Sequence, residues 1–328
     1  MDKIAFIIGE TFLYWNSIFL VLAVVTGCLL FLGFYLGRSG NTVGAFLALP
    51  LFISLSIVLA RLVHWYCQAD SYKSMITALT NYLSGGYALC GAFAGCILGA
   101  VLLRLCKAVK DLPEMLDCMA LAGAAAIGVG RLGCLFTSAD RGNILEEAWS
   151  FPFAWPITNA VTGASENRLA VFMLQAMFCG ALFVLLTLFW LLNRRKNRSG
   201  DTCLLFLLFY GASQAVLDSM RYDSLFLRSN GFVSLVQILG AVAVVIPVVI
   251  ISVRSVRLRK IRVIHPILWI LTAAGLGGAG YMEYYVQRHG NQALFSYTIM
   301  SLCMAAVAGI TLFLYFHSGK KNPLAKKI

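Results

Sequence analysis

The chain has 328 residues, of which 60% are hydrophobic and 12% are charged, and its formal net charge is +12. This composition leaves little material for a soluble domain. The basic residues are spread over the ends of apolar segments rather than along one polar face, which argues against a nucleic-acid-binding protein.

Nine apolar segments of helix length follow one another along the chain, each close to the ~20 residues that a helix needs to cross ~30 Å of hydrocarbon. They predict an all-α polytopic integral membrane protein with about nine transmembrane helices. The predicted segments are Tyr14–Leu36, Thr42–Ala60, Gly85–Leu103, Leu116–Leu132, Leu169–Leu192, Thr202–Leu217, Phe232–Val253, Ile267–Tyr285 and Ala293–Phe316.

Charge is divided unequally between the two sets of connecting loops. Most of the 26 lysines and arginines fall in alternate loops on one side, and they include the tail lysines. The positive-inside rule therefore predicts a cytoplasmic C-terminus and an N-terminus outside the cell. Residues 1–8 lack the basic start and small-residue cleavage site of a signal peptide, so none is predicted. The predicted inner basic residues are Arg38, Arg104, Lys107, Lys110, Arg194, Arg195, Lys196, Arg198, Arg254, Arg257, Arg259, Lys260, Arg262, Lys320, Lys321, Lys326 and Lys327.

Three arginines stand near the ends of spans on the predicted outer side: Arg61, Arg131 and Arg221. An ionised group at this depth snorkels to the surface, pairs with a counter-charge or binds something anionic. Snorkelling is the simplest interpretation for any one of them. Three that converge would suit a lipid phosphate, because a guanidinium binds phosphate oxygens through two N–H groups.

Two kinds of glycine pattern favour packing over cofactor binding. Residues 128–133 and 275–280 both fit G-x-G-x-x-G, but both lie inside predicted spans with no preceding strand. No dinucleotide cofactor is therefore predicted. Gly91, Gly95 and Gly99 are spaced by four on the third span, which predicts a close contact with another helix. The ten cysteines and four histidines are scattered, so no metal site is predicted.

The run of residues 130–142, GRLGCLFTSADRG, resembles the signature G-R-x-G-N-x-x-N-x-E-x-x-G of prolipoprotein diacylglyceryl transferases. It keeps the register but lacks the two Asn and the Glu. Residues 85–92 are similar to the family's G-G-x-x-x-H-G-G/A, with Cys90 where the family has its essential histidine. The Ala-Arg-Leu at residues 60–62 also matches the family. Further along, Tyr210-Gly211 opens a segment similar to Y-G-x-x-R-x-x-x-E-x-x-R, in which Gln and Asp replace the first Arg and the Glu.

The resemblance covers roughly residues 10 to 250. It implies a seven-helix transferase core in residues 1–253, with the outer loop 137–168 as a head region, and an added C-terminal helical pair in residues 254–328. The family transfers diacylglyceryl from phosphatidylglycerol to the lipobox cysteine of a prolipoprotein at the outer face of the plasma membrane. The aromatic outer loop is interpreted as an interfacial belt, or as a lid over the lipid headgroup or a dock for a peptide.

The resemblance implies roles for particular residues. Arg131 is the predicted catalytic ligand of the lipid phosphate, with Arg61 and Arg221 beside it. The base stays open: His64 could supply one from the end of the second span, or it could be an interfacial residue. Cys90 and Cys134 could be reactive, disulfide-linked or merely buried. The supporting positions are Gly85, Gly86, Gly91, Gly130, Gly133, Cys134, Gly142, Tyr210, Asp218 and Gln237.

Two functions therefore stay open. The first is a divergent transferase in a bacterial plasma membrane that uses phosphatidylglycerol or a related anionic phospholipid, with a thiol or another group as acceptor. The second is a catalytically inactive paralogue that binds lipid or a lipoprotein precursor. A solute transporter is disfavoured, because inverted repeats and matched broken helices are not apparent in the sequence. Neither hypothesis requires a cofactor.

Overall fold

The computed structural model describes residues 4–9, 11–81, 85–145, 148–158, 163–192, 198–228, 230–259, 263–289 and 292–319. Within them lie ten helices and three two-stranded antiparallel sheets. The helices are α1 (Trp15–Ser39), α2 (Thr42–Cys67), α3 (Met75–Thr80), α4 (Leu89–Leu105), α5 (Leu112–Leu132), α6 (Val171–Leu192), α7 (Asp201–Leu217), α8 (Leu235–Arg259), α9 (Ile264–His289) and α10 (Ala293–Gly319). The strands are β1 (Ile4–Ile8), β2 (Thr11–Tyr14), β3 (Ala154–Thr158), β4 (Ser165–Leu169), β5 (Phe226–Leu227) and β6 (Asn230–Ser234).

The helices confirm the prediction of an all-α polytopic membrane protein, and each predicted span coincides with a helix. Among the described residues, α1, α2, α5 with the 3-10 turn after it, α6, α8 and α10 are long and apolar enough to cross a membrane. The apolar helices α4 and α7 are shorter, and α9 has the length but is not among these six. The small β-hairpins were not predicted, because strands this short carry little periodic signal.

Two helix boundaries differ from the predicted spans for local reasons. Helix α4 begins at Leu89 rather than Gly85, because Gly85 and Gly86 have φ of 67° and 82°, a left-handed backbone that ends regular helix. Helix α5 begins earlier than predicted, at Leu112. The Asp111 side chain accepts a hydrogen bond from the Glu114 amide, and Pro113 occupies the first turn, where proline is well tolerated.

The first of two compact units comprises Met1–Phe206 and Met220–Val236. In it, α2 and α4 approach so closely that glycine is required. A Cβ at Gly95 would lie 2.5 Å from the Ser56 amide nitrogen, and one at Gly91 would lie 2.6 Å from the Ala60 Cα. At Gly99 the nearest atom is a ring carbon of Phe52, at 2.8 Å. The predicted glycine contact between helices is therefore confirmed.

Helix α5 packs on α1 and α6 in the same unit. A Cβ at Gly27 of α1 would lie 3.2 Å from the Ala126 Cβ. Near its start, α5 buries Asp117, whose carboxylate accepts hydrogen bonds from the amides of Gly200 and Cys203, each at 2.7 Å. These amides belong to the residue just before α7 and to its first turn, where amide groups lack intrahelical acceptors. The buried carboxylate thus caps a neighbouring helix.

The second unit comprises Leu207–Ser219 and Gln237–Ile328. A Cβ at Gly211 would lie 2.7 Å from the Gly240 carbonyl oxygen, so the two chain segments touch through main chain. In the hairpin of α9 and α10, Gly275 faces Val307 and Gly278 faces Cys303. The Tyr297 hydroxyl donates to the Ser219 carbonyl at 3.2 Å, which ties α10 to the end of α7.

The division at residue 253 into a core and a C-terminal pair stays a prediction. Several residues that support the predicted orientation lie outside the described residues: Arg194, Arg195, Lys196, Lys260, Arg262, Lys320, Lys321, Lys326 and Lys327.

The close contact between α2 and α4 predicts that one added methyl group at Gly95 has a large effect on stability. Gly95→Ala forces α2 and α4 apart, and we expect it to destabilise the protein by about 1 to 3 kcal/mol. Gly33→Ala on α1 is the matched control, since a Cβ there meets nothing within 4 Å. We expect the control to be neutral or stabilising, because alanine is the better helix former. Thermal unfolding in detergent micelles measures both, and equal midpoints would contradict the proposed packing.

Candidate functional site

The end of α5 carries the first arginine of the family-like signature. Arg131 lies in the last turn of α5, and a 3-10 turn over Gly133–Phe136 follows it. A Cβ at Gly133 would lie 2.7 Å from Asn16 Oδ1 and 2.9 Å from the Phe19 Cβ on α1. The absence of a side chain at Gly133 thus lets α1 pass directly beside this turn.

A single carboxylate joins two of the predicted arginines. Asp140 Oδ2 pairs with Arg131 NH1, and Asp140 Oδ1 lies 2.6 Å from Arg221 NH2. Only 2% of Asp140 is exposed. The structure therefore brings Arg131 and Arg221 together, without Arg61, and places a buried anion between them.

A second aspartate completes the cluster. Asp223 accepts from Arg221 Nε at 3.0 Å, and its other oxygen accepts from the Asp140 amide at 2.9 Å. We call Arg131, Asp140, Arg221 and Asp223 the arginine cluster. The positive charges of its arginines equal the negative charges of its aspartates, so each guanidinium near the membrane interior has a counter-charge.

The electrostatic balance at Asp140 favours the charged carboxylate. Burial by itself would raise the pKa of Asp140, but the nearby Arg131 and Arg221 guanidiniums outweigh it and hold that pKa below its ordinary value. The two guanidiniums therefore stabilise the ionised form of Asp140. Its φ of 56° is in the left-handed region, which aspartate tolerates better than most residues.

Arg141 is a third, fully buried guanidinium beside the cluster. Its NH2 donates to the carbonyls of Cys134 and Thr137, at 3.0 and 2.9 Å, and its planar group lies 4.3 Å from the Phe172 ring centroid. Among the described residues, its Nε and NH1 have no hydrogen-bond partner. Arg141 thus binds the backbone carbonyls of residues 134 and 137, the two positions at which the family signature has asparagine.

The loop that carries Asp140 and Arg141 is tied to two other segments by main-chain contacts. The Phe172 amide donates to the Asp140 carbonyl at 3.1 Å, and the Tyr222 amide donates to the Arg141 carbonyl at 3.1 Å. Gly142 fits between them, since a Cβ there would lie 2.8 Å from the Met220 carbonyl oxygen. The site is therefore held by backbone as well as by charge.

Arg61 occupies a different environment. Its Nε, NH1 and NH2 donate to the carbonyls of Ala78, Gly86 and Asn81, at 2.5, 2.7 and 2.7 Å. The side chain is buried, so this guanidinium clamps the segment between α3 and α4. The geometry favours a structural role for Arg61, and its predicted contact with lipid phosphate stays a prediction.

His64 lies at the loop where the family has its glycine-rich motif. Its Nδ1 is 3.0 Å from the Tyr72 hydroxyl, and a Cβ at Gly86 would lie 2.6 Å from its Cε1. The imidazole is therefore packed against the turn that leads into Cys90. The sequence spacing did not predict this contact. It depends on Tyr72, which lies eight residues after His64 and whose hydroxyl orients the imidazole ring.

The two cysteines at family positions have different surroundings. Cys134 is buried, and its thiol lies 3.2 Å from Asp140 Oδ2 as a hydrogen-bond donor. Cys90 is partly buried near the start of α4. Neither cysteine forms a disulfide in the structure, so the disulfide alternative has no support from it.

Three further predicted positions belong to the second unit. Tyr210, Asp218 and Gln237 are all buried there, and the Asp218 amide donates to the Gln214 carbonyl at 3.0 Å, one turn earlier. Their roles stay predictions.

Three residues at the site, Asp140, Arg141 and Asp223, are not among the predicted ones. Two of them could have been suspected, since adjacent opposite charges at positions 140 and 141 interrupt an apolar, family-like motif. Asp223 lies 83 residues from Asp140 in sequence, and only the folded chain reveals the contact.

Comparison with known proteins identifies the family of this chain. Residues 3–253 match the family model described as prolipoprotein diacylglyceryl transferase. Three similar proteins are each named phosphatidylglycerol–prolipoprotein diacylglyceryl transferase. One from Finegoldia magna is 26% identical over 249 residues, which are 74% of this chain and 94% of the relative. One from Listeria innocua is 25% identical over 251 residues, 75% and 89% of the two chains. One from Ligilactobacillus salivarius is 24% identical over 256 residues, 75% and 92%.

The helices and the arginine cluster define a multi-pass membrane protein with a charged site at the end of its spans. The chain belongs to the prolipoprotein diacylglyceryl transferase family.

Proposed function

We propose that this protein is a diacylglyceryl transferase that takes its lipid group from phosphatidylglycerol, or a closely related anionic phospholipid, at the outer leaflet. The observation that carries this proposal is the convergence of Arg131 and Arg221 on one carboxylate. Two guanidiniums that meet at one anion can also meet at a phosphate, because carboxylate and phosphate present similar pairs of acceptor oxygens.

The proposed chemistry requires two kinds of group from the protein. The acceptor thiolate forms a C–S bond to the diacylglyceryl carbon while the C–O bond to the phosphate breaks and glycerol phosphate leaves. Negative charge grows on the leaving phosphate, and fixed guanidiniums near it stabilise the transition state. The thiol proton must pass to a base.

His64 is the proposed base, because Cys90 stands where the family has histidine. Its Nδ1 lies within hydrogen-bond distance of the Tyr72 hydroxyl, which orients the ring. When Nδ1 donates that bond, Nε2 carries the lone pair that a base needs. The rearranged motif also favours an acceptor that differs from the lipobox cysteine of the standard reaction.

A catalytically inactive paralogue is the second candidate, and the substitutions at family positions favour it. Cys90, Cys134 and Ala139 replace groups that the family signature keeps polar or titratable. Such a protein would still bind anionic lipid through Arg131 and Arg221. It would also present its aromatic loop, where Trp149, Phe151 and Phe153 are exposed, to the membrane surface or to a precursor.

We further propose that the N-terminus and the arginine cluster face the outside and that the C-terminus is cytoplasmic, as the charge asymmetry predicts. Asn143 is exposed in the loop after α5, and Lys110 is exposed in the loop before it. In a background without reactive native thiols, a membrane-impermeant label should modify Asn143→Cys in intact cells. It should modify Lys110→Cys only after permeabilisation. The reverse pattern would refute this orientation.

The lipid site predicts a selective loss on removal of one guanidinium. Loss of a charge-assisted partner from a desolvated anion costs ~2 to 5 kcal/mol, so Arg131→Ala should weaken phosphatidylglycerol binding at least about tenfold. Arg198→Ala, on the predicted inner side, should have little effect. Binding to the purified full-length protein in micelles measures both. Equal losses would show that Arg131 contributes only to folding or topology.

The altered motif predicts failure in a cell that lacks the standard transferase. An acceptor aligned for a base at position 90 finds Cys90 there, and loss of a general base from its place lowers a rate ~100- to 10,000-fold, so the chain should not replace that enzyme. Cys90→His alone should not rescue it, because Cys134, Thr137 and Ala139 also depart from the family pattern. Robust complementation by the unmodified chain would contradict this prediction.

A transfer assay on the purified protein separates the two candidate functions. Slow transfer that His64→Ala abolishes and Cys90→Ala leaves intact would support the relocated base. Binding of phosphatidylglycerol without any transfer would favour the inactive paralogue.

A further inference from the structure

The point at which Arg131 and Arg221 converge is already occupied. One oxygen of Asp140 contacts each guanidinium, and the carboxylate is buried between them. A phosphate that bridges the two guanidiniums would need the same position. Binding of the lipid phosphate there would therefore require the Asp140 carboxylate to move.

We propose that Asp140 is a resident anion that occupies the phosphate position in the lipid-free protein and leaves it when an anionic lipid binds. Asp140 thereby sets the affinity and keeps the two guanidiniums in place for the phosphate. The proposal rests on the proposed lipid site, and it assigns to that site a positioning residue outside the predicted set.

The backbone confines this exchange to the side chain. The Asp140 amide donates to Asp223 at 2.9 Å, and the Asp140 carbonyl accepts from the Phe172 amide at 3.1 Å. With both main-chain groups held, the carboxylate can leave by rotation about its side-chain torsions, and the loop need not open. Such rotations are fast compared with loop rearrangement.

A second observation identifies a partner for the displaced carboxylate. Arg141 is 1% exposed, and among the described residues its Nε and NH1 lack hydrogen-bond partners. A buried guanidinium with two unused donors is costly unless an anion satisfies it in another state. Asp140 is the residue adjacent to Arg141 in the sequence. On rotation, the Asp140 carboxylate would leave the guanidiniums of Arg131 and Arg221 and pair with the guanidinium of Arg141.

The proposal predicts that removing the carboxylate strengthens lipid binding. Apparent affinity falls by the fraction of molecules in the binding-competent state. If Asp140 fills the position in roughly nine of ten molecules, Asp140→Asn should tighten binding about tenfold. A purely structural Asp140 predicts the opposite sign, because the two guanidiniums would lose the counter-charge that they share, repel each other and lose their geometry.

The experiment measures binding of dihexanoylphosphatidylglycerol to the full-length protein in detergent micelles. Asp140→Asn and Asp140→Gly are compared with the parent, and the glycine variant guards against misfolding because φ of 56° suits glycine. Asp223→Asn is the matched control, since it removes the same charge from the cluster but leaves the convergence point occupied. Dihexanoylglycerol, which lacks the phosphate, is the control ligand.

The expected result is binding about tenfold tighter in both Asp140 variants, a clearly smaller gain in Asp223→Asn, and no change for dihexanoylglycerol. Unchanged or weaker phosphatidylglycerol binding in both Asp140 variants would overturn the proposal. An equal gain in Asp223→Asn would also overturn it, because general charge would then suffice. Arg131→Ala and Arg221→Ala in the same assay test the lipid site itself. If neither weakens binding, the proposed function fails, independently of Asp140.

Discussion

The pairing of Arg131 and Arg221 through Asp140 is the interaction on which the functional end of the larger unit depends. Arginines near the apolar part of a membrane protein cannot be left uncompensated, because desolvation of an unpaired ion costs several kcal/mol. Here the compensation joins the last turn of α5 to the segment that follows α7. The backbone contacts of Gly142, Phe172 and Tyr222 then hold the loop in a single arrangement around this charge pair.

The architecture was largely predictable, because hydropathy and glycine spacing report directly on membrane helices and their contacts. The spans and the Gly91–Gly95–Gly99 contact follow from residue type alone. Helix ends were less predictable. They depend on local events such as the left-handed Gly85 and Gly86 or the cap at Asp111, which do not alter the average hydropathy of a span.

The site was predictable only in part. The family resemblance predicts Arg131 and Arg221, but their shared partner occupies a position that the family signature leaves open. Asp140 follows the residue at which the family has glutamate, and a left-handed backbone gives it the direction it needs. Comparison with the family motif therefore indicates that the acidic residue is missing, although the Asp140 carboxylate is present at the site. Arg141 similarly supplies bonds to the carbonyls of residues 134 and 137, where the family has asparagines.

The contacts of Arg61 have a consequence for how the neighbouring segment can evolve. A guanidinium that binds carbonyl oxygens recognises a group that every amino acid possesses. The residues at positions 78 and 81 can therefore change without loss of their hydrogen bonds to Arg61. Position 86 is the exception, since the His64 ring leaves no room for a Cβ there. The short helix α3, whose Met75, Ile76 and Leu79 are exposed, can thus acquire a new surface while its attachment stays the same.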